Sequence, residues 1–83
     1  MAEKLVGEVS HWFGNIGVAG ITLTDILAVG DRIHVLGHTT DFEQEITSMQ
    51  IMHQDVGEAN PGDEVGVRVQ FRARRGDRVY KVT

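Results

Sequence analysis

Four histidines, twelve carboxylates and eight Lys or Arg side chains are what this 83-residue sequence offers for chemistry. Cysteine is absent, so there is no thiol nucleophile, no disulfide and no sulfur ligand. His34 and His38 stand four apart, a spacing that aligns two imidazoles on a helix. Here it falls on a strand and its exit loop, while His11 and His53 sit on other strands. No ligand set converges, and no metal site is expected. Acid–base catalysis needs carboxylates held in contrasting environments. Asp31, Asp63 and Asp77 fall in turns, and Glu43 and Glu45 point outward. Ser10 and Ser48 lie inside strands without a neighbouring base. The sequence therefore predicts no catalytic residue, no cofactor and no enzymatic activity.

The cations carry the stronger signal. Residues 1–67 contain only Lys4 and Arg32, whereas residues 68–83 hold Arg68, Arg72, Arg74, Arg75, Arg78 and Lys81 against the single acid Asp77. Net charge is -4, so a basic strip closes an otherwise acidic body. Arginine binds phosphates and carboxylates through a planar fork. Trp12 and Phe13, beside His11, offer a stacking face. Arg68, Arg72, Arg74, Arg75, Arg78 and Trp12 are the candidate nucleic-acid- or partner-binding residues, with phosphate or RNA contact weighed against a solvated face. The tripeptide at Arg75–Asp77 matches a cell-adhesion motif, but the same Gly-Asp turn occurs twice elsewhere without the arginine.

The elements that must position these residues are strands. "EVGVRVQF" sets Val65, Val67, Val69 and Phe71 on one face, with Gly66, Arg68, Gln70 and Arg72 on the other. Ile33 with Val35, and Ala19 with Ile21 and Leu23, repeat the alternation. "TTDFEQEITSM" has apolar residues at helical spacing, but it reads better as a strand whose phase changes at a β-bulge near Thr47–Ser48. Six strands are expected: Leu5–Phe13, Gly17–Thr24, Arg32–Gly37, Phe42–His53, Glu64–Arg72 and Arg78–Val82. "GNIG" and "NPGD" supply tight turns between them. Closing such strands into a barrel would remove unpaired edges.

One short pattern recurs three times, as "VGDRIHV", "PGDEVGV" and "RGDRVYKV". Each is a Gly-Asp turn entering a strand, with Ile33, Val65 or Val79 as the first inward residue. The aspartate is expected to accept hydrogen bonds from the backbone N–H groups that follow it. The spacing of the copies is uneven, which rules out a solenoid.

Together, "VGEVSHWFGNIGVAGITL", "LAVGDRIHVLG", "ITSMQIMHQDVGEANPGDEVGVRV" and "RRGDRVYKV" resemble the second domain of translation elongation and initiation GTPases. The resemblance runs through Gly7–Val9, Gly30–Ile33, Ser48–Met49, Ala59–Gly66 and Gly76–Val79. It implies an all-β, six-stranded antiparallel Greek-key β-barrel. Similar barrels occur as accessory C-terminal domains of a collagenase-like peptidase family. No Gly-x-x-x-x-Gly-Lys-Ser/Thr phosphate loop is present, so the GTPase itself is excluded.

These readings describe one domain over residues 1–83 that binds without catalysing. Its expected partners are tRNA, rRNA or the ribosome. The alternative is an accessory barrel that partners a peptidase or a GTPase. The start "MAEKLVGEV" has no apolar run of leader length, and no stretch reaches about 18 apolar residues. A cytoplasmic place and no membrane partner are therefore expected.

Overall fold

A computed structural model describes residues 2–83. Ten strands follow one another: β1 (Glu3–Phe13), β2 (Val18–Leu23), β3 (Leu27–Ala28), β4 (Arg32–Leu36), β5 (Asp41–Glu45), β6 (Met49–Ile51), β7 (Gln54–Val56), β8 (Glu58–Ala59), β9 (Glu64–Arg68) and β10 (Arg78–Val82). Eight form one antiparallel sheet in the order β5-β4-β10-β1-β2-β9-β6-β7; β3 and β8 make a small separate pair. There is no helix among the described residues.

The all-β antiparallel class is as expected, and the closed barrel is not. The end strands β5 and β7 do not pair with each other. Their sequences explain it. β7 has three residues, and β5 carries Asp41, Glu43 and Glu45 along a free edge, where charge discourages pairing. The predicted strand Phe42–His53 is two strands, β5 and β6, at opposite parts of the sheet. The phase change at Thr47–Ser48 is thus a break in the chain's course and not a bulge.

A side chain bridges the gap near β5. Gln44 is buried; its Nε2 donates to the Arg68 carbonyl at 3.0 Å, and its Oε1 accepts from the Gln70 N–H at 2.8 Å. The primary amide thus offers both halves of a peptide group and stands in for a missing strand rung.

The core is aliphatic, and it follows from the period-two pattern. Val6, Val9, Ile21, Leu23, Leu27, Ile33, Val35, Ile46, Met49, Val65, Val67 and Val79 are fully buried. Each contributes about 1.5–3 kcal/mol over exposure. β1 serves both β10 and β2, with register shifts at Val6 and Ser10 that bend the sheet around this core. Gly7 lies where it bends: a Cβ there would meet the Thr22 carbonyl oxygen at 2.7 Å. Phe71, predicted inward, is 57% exposed because β9 ends at Arg68 and the alternation stops there.

The recurrent Gly-Asp pattern proves to be one module used three times. Gly30, Gly62 and Gly76 have φ of 98°, 92° and 94°. The following Asp N–H donates to the carbonyl three residues back: Asp31 to Ala28, Asp63 to Asn60, Asp77 to Arg74. Each carboxylate reaches back too, accepting from Ala28, Asn60 and Arg74 N–H at 2.9, 2.8 and 2.7 Å. The bonds therefore run to preceding amides and not to following ones. Each glycine N–H also donates to a buried residue (Ile46, Leu23 or Val9), whose own N–H donates to the aspartate carbonyl. This is a β-turn fused to a bulge with glycine in the left-handed position. It turns the chain and locks it to a core strand in one step.

The two ends of the described chain lie side by side. Thr83 N–H donates to the Ala2 carbonyl at 2.8 Å, continuing the β1–β10 ladder.

Candidate functional site

Arg72, Arg74 and Arg75 lie on the loop between β9 and β10. Buried Val69 and Ala73, and the nearly buried Asp77, pin this loop to the core. Because Ala73 points inward, its neighbours point out. Asp77 uses one carboxylate oxygen on the Arg74 N–H, and its carboxyl group lies against Gly37, where no side chain would fit. An aspartate committed in this way is not displayed for adhesion, so the Arg75–Asp77 tripeptide is a turn.

Arg68 and Arg78 stand at the two feet of the loop, on strands separated by β1 and β2. They are apart in both directions: about 14 Å across the strands, and about 15 Å along them, since Arg68 is level with Phe13 of β1 and Arg78 with Glu8. The structure thus gathers three of the five arginines and leaves two as flanks. Arg72 does not share a strand face with Arg68, since the strand has already ended.

Electrostatics sets these five apart from the other cations. Lys4 pairs with Asp25 at 2.7 Å, Arg32 with Glu43 at 3.1 Å and Lys81 with Asp31 at 3.5 Å. None of Arg68, Arg72, Arg74, Arg75 or Arg78 has an ion-pair partner among the described residues. All five are exposed. Phe71 stands in the same loop, its ring 5.5 Å from that of Phe42. Trp12 is different. It packs against the hydrophobic core and lies half-buried on β1. The exposed aromatic beside the arginines is Phe71. Sequence reasoning missed it because the alternation of β9 seemed to run on through it.

Histidine and carboxylates also meet, in a combination no spacing announced. His34 Nδ1 lies 3.0 Å from Glu3, and Nε2 lies 2.6 Å from Asp41. The hydrogen bond to Glu3, then that to Asp41, raises the His34 pKa above its ordinary 6.5. Glu3, His34 and Glu43 are close enough for one small cation to touch all three. However, Arg32 already occupies Glu43. His38, four residues from His34 in sequence, is not in the cluster. Among the described residues no serine or carboxylate pair is oriented by a third group as a nucleophile and base are; the Ser10 hydroxyl donates to Glu64 at 2.8 Å, an acid without a further base.

No protein-family model matches the chain. Over 76 residues it is 42% identical to a protein of Methanocaldococcus jannaschii described as an uncharacterized protease. The match takes in 90% of this chain and 19% of that protein, so the chain spans about a fifth of the curated relative's length. Among solved structures, the C-terminal domain of a Geobacillus thermoleovorans protein assigned as a U32 peptidase superposes with a TM-score of 0.90. That comparison covers 96% of this chain and 93% of that one at 18% identity. The fold is that of a U32 peptidase C-terminal domain. The selenomethionine form of the same U32 domain gives a TM-score of 0.87 over 92% of this chain and 96% of that one, also at 18% identity.

These relatives overturn the translation-factor resemblance, and with it the reading of the chain as a translation-factor barrel. The physical reason lies in what carried the resemblance. The Gly-Asp motifs are turn–bulge modules that turn the chain into a strand and tie it to the aliphatic core. They encode a way of folding and say nothing of a ligand. The second resemblance, to accessory C-terminal domains of peptidases, is the one the relatives favour. Among the described residues no helix is long and apolar enough to cross a membrane.

Proposed function

We propose that the chain is a non-catalytic accessory domain of the U32 peptidase type, which holds a protein partner through its arginine loop. The observation that carries this reading is the 42% identity, over most of this chain, to about a fifth of a protease. A segment that small leaves the hydrolytic machinery to the remainder of such a protein. The unpaired Arg72, Arg74 and Arg75, with Arg68 and Arg78 as flanks, suit an acidic surface on the partner. Phe71 supplies the apolar contact that interface centres use.

The test takes the Methanocaldococcus jannaschii relative with its matching 76-residue segment deleted, and adds this chain in trans. Association that weakens with salt, and weakens again in the triple variant Arg72→Ala, Arg74→Ala, Arg75→Ala, is expected from charge-guided docking. Peptide-bond hydrolysis by the chain alone, or association indifferent to both salt and the triple variant, refutes the reading.

A further inference from the structure

On the outer face of β2, β6 and β9 lies a groove of about 400 Å³. Phe13, Ile16 and Val18 form one wall, and Met52 stands at the other side. The floor has almost no side chains, because Gly20 of β2 and Gly66 of β9 are direct cross-strand partners. Neither glycine has a positive φ, so backbone conformation does not call for glycine at these two positions. Gly20 is buried: a Cβ there would come 3.4 Å from His11 Cβ and 3.5 Å from the Phe13 ring, while one on the half-buried Gly66 would come 3.2 Å from Val18 Cγ1. Larger side chains there would fill the trough. Two facing glycines keep it open.

The rim is unusual as well. Met52 is 88% exposed, and Phe13 and Ile16 are 49% and 60% exposed. Met52 and His53 have φ of 51° and 66° at the tip of the β6–β7 hairpin. Non-glycine residues seldom occupy that region, and tight hairpins normally place Asn or Gly there. Strain of this kind persists where it serves a site. Here it holds a flexible thioether over a glycine floor, a side chain suited to varied apolar contacts.

Charge gives the groove a polarity. Glu64, Gly66 and Arg68 alternate on the outer face of β9. At the strand rise, the acid and the arginine stand about 13 Å apart with the floor midway. Arg68 has no ion-pair partner among the described residues. Glu64 Oε1 accepts from Ser10, which leaves the other oxygen for a cation. An extended peptide has the same repeat, so its residues i, i+2 and i+4 can face all three positions together.

We propose that this groove binds an extended polypeptide segment with an apolar side chain at its centre, an acid two positions to one side and a base two positions to the other. The apolar side chain lies on Gly66 between Met52 and the Phe13 ring that covers Gly20, the acid meets Arg68 and the base meets Glu64. The site shares Arg68 with the flank of the arginine loop but uses none of Arg72, Arg74 or Arg75, and it does not depend on the peptidase reading.

The experiment uses the full chain, nitrogen-15 labelled, and an end-blocked probe peptide of aspartate, serine, phenylalanine, serine and lysine. Controls carry aspartate at both ends, lysine at both ends, or alanine at the centre. The expected result is saturable shifts of the Gly20 and Gly66 amides with the first peptide. Each like-charged control keeps one ion pair and exchanges the other for a like-charge contact, so it should bind about three- to tenfold more weakly. The alanine control should give no saturation. Gly20→Val, which fills the floor, and Met52→Ala, which removes a wall and leaves the floor intact, should each weaken binding. In Glu64→Arg the preference should move to the peptide with two aspartates. If Gly20→Val does not fold, Met52→Ala and Glu64→Arg decide the matter. The inference is overturned if Gly20 and Gly66 do not respond, if the like-charged peptides bind equally well, or if these variants bind as the parent does. Its failure would leave the docking test of the arginine loop untouched.

Discussion

Replacing Gln44 by methionine should remove one polar bridge and almost no volume. The side chain is buried and unbranched, and methionine follows nearly the same path. Two backbone groups lose their partner: the Arg68 carbonyl, bonded at 3.0 Å, and the Gln70 N–H, bonded at 2.8 Å. A buried backbone group left without a partner costs ~1–3 kcal/mol. Burying a thioether instead of an amide returns about 1 kcal/mol. Both bonds are only part-buried, so each loss falls at the low end of that range and the net loss should be about 1–2 kcal/mol, a large share of the roughly 4–12 kcal/mol expected for a chain of this length. It corresponds to a fall in melting temperature of roughly 4–16 °C. Urea unfolding followed by circular dichroism gives the free energy, and amide exchange at Gln70 gives the location. Gln44→Glu separates hydrogen bonding from packing. Its carboxylate can accept from Gln70 but sets a second oxygen against the Arg68 carbonyl. Protonation restores a donor, so the folded state should raise that carboxyl's pKa. Its stabilising contribution is then present below the unfolded value and lost as pH rises through the folded one. The variant should recover toward the parent as pH falls. A Gln44→Met protein within about 0.5 kcal/mol of the parent, with Gln70 exchange unchanged, would show that the side chain is not the bridge described.

Further outcomes follow from the same geometry. Gly62→Ala should destabilise by about 1–2 kcal/mol in urea unfolding: φ is 92° and open space surrounds the site, so the whole cost is conformational. Gly7→Ala should be worse and should leave little folded protein by circular dichroism, because its Cβ would press on the Thr22 carbonyl and on Ile21. His34→Gln should flatten part of the pH profile of stability. The His34 pKa is raised in the folded chain, so its bridging contribution is full below 6.5 and lost as pH rises through the folded value. Urea midpoints of parent and variant should therefore diverge on the acid side of neutrality and converge above it.

How legible the fold was depended on how local each feature is. Alternation at Ile33, Val35, Val65 and Val67 named core positions correctly, because a period of two is written in adjacent residues. The turns at Gly30, Gly62 and Gly76 were equally readable, since glycine marks the left-handed backbone each one adopts. Long-range matters were not readable. Nothing near Thr47 says that β5 and β6 part company across the sheet, and nothing near Gln44 says that its amide reaches Arg68 and Gln70. The same divide runs through the surface. Arginine exposure followed from type, but the absence of ion pairs, the inward packing of Trp12 and the meeting of His34 with Glu3 depend on strands distant in sequence. The facing of Gly20 and Gly66 likewise depends on the pairing of β2 with β9, which neither strand's own sequence states.

The adjacency of Ala2 and Thr83 has an architectural consequence. Because both meet in one backbone ladder, a short covalent splice between them would turn the string into a loop without moving a strand. Such ring closure would deprive the denatured ensemble of entropy worth about 4 kcal/mol. The ring could then be reopened at another surface turn, giving rearranged chains with the same spatial neighbours. A module whose two ends leave from one point can also be grafted into an exposed loop of a larger host as readily as onto its end.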